Sequence, residues 1–187
     1  VEFLHLKGMD KAQGRLTLLD TPGPSEAGQV HLQTMLKDQL QKASAVLAVM
    51  DFQQLKSDAD ETIRQNLLAI EQVAGDRIYI LVNRFDMRQP NDMDENDVKN
   101  FIKKRMDGII DPNRIFPVSA KKWFFSHMAK SSLAALGKLP DPKHSAWVEV
   151  FGEMAFGPRW SRYINDPLEV VEIADVLCRE SNFDAPL

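Results

Sequence analysis

A single cysteine, Cys178, in 187 residues excludes an internal disulfide and suits a reducing cytoplasm. Long hydrophobic runs are missing too. The most apolar stretch, 43–50, is interrupted by Ser44 and falls far short of the roughly 20 residues a membrane-spanning helix needs. There is no excess of positive charge: 27 acidic against 23 basic residues leave a net charge of −4, which gives no electrostatic footprint for direct nucleic-acid binding or for an anionic membrane. The four histidines (His5, His31, His127 and His144) have no metal-ligand spacing with carboxylates. No Gly-x-Gly-x-x-Gly follows any apolar run, which argues against a dehydrogenase. Internal repeats, low-complexity tracts and a secretory signal are absent, and the start at Val1 reads as a cut. What remains, 44% hydrophobic and 27% charged, is the composition of an ordinary globular chain able to bury one substantial core.

Short apolar runs alternate with helical patterns. Residues 1–7 and 15–20 predict a hairpin with a longer loop. Leu32, Met35, Leu36 and Leu40 lie at helical spacing over 29–42. The run 45–52 predicts a strand buried on both faces, followed by a helix over 57–74 that Gly75 ends. Residues 78–82 predict a further strand, 89–97 an acidic loop feeding a helix to 106, and 114–118 another strand. A helix over 123–136 is then closed by Gly137. Beyond the breaker-rich 138–143, helices are expected over 145–156 and from Pro167, the latter with Asp166 as cap and Glu169 completing a capping box. The fold class is therefore α/β: a mostly parallel sheet with helices on both faces, followed by C-terminal helices.

Three polar motifs stand at the ends of three of these strands. Asp20-Thr21-Pro22-Gly23 follows Leu16-Thr17-Leu18-Leu19, Asn83-Arg84-Phe85-Asp86 follows Ile80-Leu81-Val82, and Ser119-Ala120-Lys121 follows Ile115-Phe116-Pro117-Val118. In an open parallel sheet all three point into the crevice where ligands bind. Each alone reads as an ordinary turn or helix start. In this order, with 63 residues between Asp20 and Asn83 for the intervening elements, they read as loops of a GTP-binding domain. Asp20 suits a magnesium ion, through a bound water because magnesium gives up its hydration shell reluctantly. Gly23 lets its N–H approach a terminal phosphate. Asp86 can accept two N–H donors from the guanine edge, Asn83 can tie its loop to the neighbouring ones, and the Arg84 stem can lie over the base. The Ala120 N–H suits the guanine oxygen, with Ser119 and Lys121 completing that loop.

The stretch Leu18 to Gly28, with Ala45-Val46-Leu47-Ala48-Val49 and Leu81-Val82-Asn83-Arg84-Phe85-Asp86, resembles the bacterial dynamin-like GTPases, and within them the clamp-binding or replication-fork-associated subgroup. The resemblance covers most of the chain, including Gly137-Lys138-Leu139-Pro140 and the surroundings of Trp147 and Arg159-Trp160. It implies a multidomain protein that binds GTP or GDP with magnesium and hydrolyses GTP slowly. It also implies pairing of GTPase domains across the nucleotide and, by the subgroup, a DNA polymerase sliding clamp as a partner. By the same resemblance residues 1–139 form the distal part of the GTPase domain and 140–187 a helical extension of it or the start of a helical bundle. Pro24 stands where many small GTPases carry a water-orienting Gln, and Gln29 is a weak substitute.

The fourth loop of such a domain is missing. Gly-x-x-x-x-Gly-Lys-Ser/Thr does not occur, and Gly152 to Gly157, which has the glycine spacing, continues into Pro158-Arg159. The chain is therefore expected to be a truncated P-loop NTPase whose phosphate loop lies upstream of Val1, and to bind GTP weakly or not at all by itself. A strand would then be absent between 15–20 and 45–52, leaving flanking strands about 9–10 Å apart and abnormal pairing at that seam. The competing expectation is a nucleotide-free module used for assembly. Trp123-Phe124-Phe125 reads as core aromatics before a docking patch, and 89–97 as a solvated loop before a dimer contact.

Overall fold

The computed structural model describes residues 42–55 and 75–183, together with residues 68 and 72. The hairpin over 1–20, the seam beside it, and the motif residues Asp20 and Gly23 lie outside the described residues, as do nearly all of 29–42 and 57–74.

β1 (Val46–Asp51), β2 (Ile78–Asn83) and β3 (Ile115–Pro117) form a three-stranded parallel sheet in the order β1-β2-β3. Their apolar runs break at polar residues, and the register puts Asp51 opposite Asn83 and Val82 opposite Pro117. The C-terminal strand ends are thus level, and the loops that follow them share one rim. Parallel pairing of β2 with β3 needs a crossover. It is supplied by α1 (Glu95–Arg105), which starts inside the acidic stretch expected to be a loop to 97. Asp94 accepts from the Asp97 N–H while Asp97 accepts from the Asp94 N–H, a capping box made of two aspartates. Lys103, Lys104 and Arg105 in the last turn complement the helix dipole.

Val98, Ile102 and Met106 pack on the sheet face that carries Val46, Ile78, Ile80 and Val82, all buried. The other face of β1 differs from expectation: Leu47 is 55% and Val49 63% exposed. β1 is the edge strand among the described residues and α1 covers only the opposite face, so alternate side chains of an apolar strand stand open.

Three further helices follow: α2 (Ala120–Leu136), α3 (Ala146–Phe156) and α4 (Pro167–Glu180). α2 begins three residues before the expected 123 because the Ser119 hydroxyl caps it, accepting from the Lys122 N–H at 3.2 Å. Gly137, at φ 67°, ends it as expected. α4 starts at Pro167 with the Asp166 carboxylate accepting from Leu168 and Glu169. No return bond from Glu169 to the Asp166 N–H accompanies it; that N–H donates to the Tyr163 carbonyl instead. A second core, distinct from the sheet core, joins the helices through Ala129, Val148, Phe151, Val170, Ala174 and Leu177. Of the aromatic triplet, Phe125 packs here and Phe124 stays 52% exposed.

Gly152 sits inside α3 beneath the Trp160 ring, where a Cβ would lie 2.7 Å from the nearest ring carbon. It is a helix-packing glycine and takes no part in a phosphate loop. Gly152→Ala is expected to cost about 1–2 kcal/mol net, the overpacking penalty outweighing a helix-propensity gain of at most about 1 kcal/mol. Urea denaturation measures this, and an unchanged midpoint would mean that Trp160 swings aside freely.

Between α2 and α4 the Lys130 ammonium donates to Asp175 at 2.7 Å. That hydrogen bond, reinforced by the charges of Lys130 and Arg179 against a small burial penalty, lowers the Asp175 pKa. A carboxyl depressed in the folded state stabilises above its unfolded pKa and loses that contribution as pH falls through the folded one. Asp175→Asn should therefore be less stable than the parent by under about 1 kcal/mol at pH 7, since the pair is solvent-exposed, and equally stable well below about pH 4. Thermal melts at the two pH values test the convergence.

Candidate functional site

The loops after β2 and β3 are stitched together at the rim. Val118 donates to the Val82 carbonyl at 2.9 Å and Phe85 to the Val118 carbonyl at 3.1 Å, continuing the strand ladder into the loops. Asn83 then folds its side chain back. Its Oδ1 accepts from the Arg84 N–H at 2.8 Å and from the Ala120 N–H at 3.0 Å, joining the two motifs through one amide. Two expected site segments 37 residues apart are thereby brought into contact. The Ala120 N–H is engaged by Asn83, so a base oxygen there would share it in a three-centre bond or displace Asn83.

Arg84 adopts the left-handed conformation, φ 65°, which is uncommon for a residue with a side chain. Two contacts hold it: the Asn83 side chain on its N–H, and an ion pair of its guanidinium with Asp51 at 2.7 Å. Asp51 ends β1 and also caps the short turn Phe52–Gln54 through the Gln53 N–H at 2.9 Å. Residues from two adjacent strand ends thus fix a strained backbone at the rim, a pattern typical of functional sites.

The turn Phe85–Met87 carries the acidic residue of the motif. Phe85 is its anchor: the ring meets Phe52 edge-on at 5.3 Å and packs against the sheet core, while Arg88 lies over it at 5.4 Å. With Phe85 turned into the core, Asp86 is left half-buried at the rim, and no described residue donates a hydrogen bond to its carboxylate. On the second loop Ser119 is buried as the α2 cap and Lys121 is exposed.

Asn83, Arg84, Asp86, Ser119, Ala120 and Lys121 therefore lie at two junctions that touch, the end of β2 with its following turn and the cap and first turn of α2. Asp20 and Gly23 lie outside the described residues, and with them the expected magnesium and phosphate positions. Among the described residues no cluster of three His, Cys, Asp or Glu could hold a metal ion, and no helix is long and apolar enough to cross a membrane. The roles of Asp51 and of Phe85, which the motif contains without a task, escaped sequence reasoning, although an aspartate at the end of a strand is the same signal that singles out Asn83. A cavity of about 310 Å³ opens at the opposite end of the sheet, lined by Gly75, Asp76, Ile78, Ile109 and Arg114. The rim remains the candidate, because ligands of open parallel sheets bind at the C-terminal strand ends.

The whole chain is similar to the clamp-binding protein CrfC of Escherichia coli strain K12, with 47% identity over 189 aligned residues that take in 100% of this chain and 25% of the relative. A sequence of the same name from Escherichia coli matches to the same extent. The chain thus spans about a quarter of the length of the curated relatives it matches. No protein-family profile matches it, and no solved structure does.

Proposed function

We propose that this chain supplies the base-recognition part of a GTPase domain in a longer dynamin-like protein of the cytoplasm. The observation that carries the proposal is the bond from Ala120 to Asn83, which makes one rim from the two motifs expected to read guanine. The polar groups suit that base: a carboxylate acceptor at Asp86 for two N–H donors on its edge, and a backbone N–H at Ala120 for its carbonyl oxygen. Arg84 contributes its stem beside the base, Asn83 fixes both loops, and Ser119 and Lys121 shape the second. Asp20, through a magnesium-bound water, and Gly23 would complete the triphosphate side. Hydrolysis of GTP and pairing of two such domains belong to the full-length protein.

The relatives are named for clamp binding, and we extend that partner, a sliding clamp, to the full-length protein. Calorimetry on the full-length protein is expected to give GDP an affinity at least roughly 100-fold above ADP, as two charge-assisted hydrogen bonds to one base edge allow. Equal affinities would end the proposal. A nucleotide-free assembly module has one observation in its favour, the open face at Leu47 and Val49. It requires that neither nucleotide binds.

A further inference from the structure

The end of α4 is fastened to the second base-reading loop. Ser119, 2% exposed, donates its N–H to the Ser181 carbonyl at 2.9 Å, and the Asn182 amide donates to the Pro117 carbonyl at 3.3 Å. Ser181 is fully buried, its hydroxyl donating to Cys178 at 2.6 Å and accepting from the Phe183 N–H at 3.2 Å. Asn182 sits at φ 56°, a left-handed conformation that asparagine tolerates better than most residues and that turns the chain against β3. Around this seam Lys122 pairs with Glu180 at 2.7 Å and the Trp123 and Phe183 rings lie 5.6 Å apart. Pro117 and Ser119 thus have their backbone groups held by residues more than 60 positions later, and Ala120 is the next residue along.

Resting on the guanine-nucleotide assignment above, we infer that Ser181 and Asn182 are positioning residues for base recognition, and that the end of α4 and nucleotide occupancy are coupled. The Ala120 N–H can meet a base oxygen only if the 117–119 segment holds its place. Without the Ser181 carbonyl the buried Ser119 N–H loses its acceptor, and the segment must shift to find another. Coupling of this kind is reciprocal: a nucleotide that favours the fastened loop must favour the fastened α4 end by the same factor. Ser181 and Asn182 bond the 117–119 segment directly, so displacement of the C-terminal end of α4 reaches it with no intervening element.

The test uses the full-length protein carrying Asn182→Gly, which keeps the left-handed backbone accessible while deleting the amide donor. Amides of Ser119 and Ala120 are expected to exchange roughly tenfold faster, with those of β1 and β2 unchanged. Affinity for GDP should fall roughly tenfold, while affinity for the diphosphate of 2-aminopurine riboside, which lacks the 6-carbonyl oxygen and with it the N1–H, starts lower and falls much less. GDP should in turn slow exchange at residues 181–183 of the unsubstituted protein. If Asn182→Gly does not fold, Glu180→Gln releases Lys122 at the exposed side of the seam and is read for the same changes at smaller amplitude. Unchanged exchange at Ser119 and Ala120, or equal losses for GDP and the 2-aminopurine diphosphate, overturns the inference alone. Failure of the unsubstituted protein to bind GDP overturns both it and the assignment beneath it.

Discussion

Asp86→Asn in the full-length protein is expected to lower GDP affinity by roughly 100-fold or more and to make xanthosine diphosphate the better ligand. A carboxylate is acceptor-only, so it matches a base edge that offers two N–H donors, and each such charge-assisted bond contributes about 1.5–3 kcal/mol. Asparagine keeps one acceptor but sets an NH₂ against the exocyclic amine of guanine, turning an attraction into a clash. Xanthine replaces that amine with a carbonyl, which the new donor can satisfy. Specificity changes through the repelled contact as much as through the new one. Competition between the two diphosphates for a fluorescent nucleotide measures the exchange of preference. A retained preference for GDP would remove Asp86 from the base site. Misfolding is a poor alternative explanation, because the Asp86 carboxylate stands at the rim and takes no hydrogen bond from any described residue. The substitution should move stability by no more than about 0.5 kcal/mol.

The parts of this rim that the sequence made legible are those built from local signals. β2 and β3 appear close to where Ile80-Leu81-Val82 and Ile115-Phe116-Pro117 suggest, since apolar runs ending in polar residues are written in adjacent positions. The parallel order follows from the same alternation of strands and helices. Asp166 before Pro167 announced α4, because a cap and its helix lie within three residues. The capping box of α1 was hidden for a physical reason: Asp97 performs the role usually given to Glu or Gln, inside a stretch acidic enough to read as loop. The open face of β1 was hidden as well, because Leu47 and Val49 look like any buried strand residues until the cover is known.

Long-range pairings were the least legible. Asn83 could be assigned a tying role, but not its partner, since Ala120 comes near only after β3 is laid beside β2. Arg84 carries no mark of a positive φ, which arises from the Asn83 and Asp51 contacts together. The fastening of Pro117 and Ser119 by Asn182 and Ser181 depends on where α4 ends after crossing the second core. Ser-Asn-Phe after a helix is an unremarkable tripeptide. Only packing gives it a task.

Phe151→Ala should show how far that packing supports the rim. Phe151 is fully buried in α3, among Ala129 of α2 and Val170, Ala174 and Leu177 of α4. Removing a buried phenyl ring costs about 3–5 kcal/mol, through lost transfer energy and the cavity left behind. That is a large share of the roughly 5–15 kcal/mol that holds a typical domain. The sheet core around Ile80, Val98 and Ile115 shares no residue with the helical one, so the loss should fall first on α3 and α4. Hydrogen exchange is therefore expected to accelerate in α4 and at residues 117–121, with β1 and β2 amides following only at the global transition. Uniform acceleration across both cores would show a single cooperative unit in place of a sheet buttressed by a separable helical layer. The segment 117–121 lies on the boundary between the two layers, with Asn83 holding it from the sheet side and Ser181 from the helical side. Its response to Phe151→Ala reports how much of its protection depends on the helical hold.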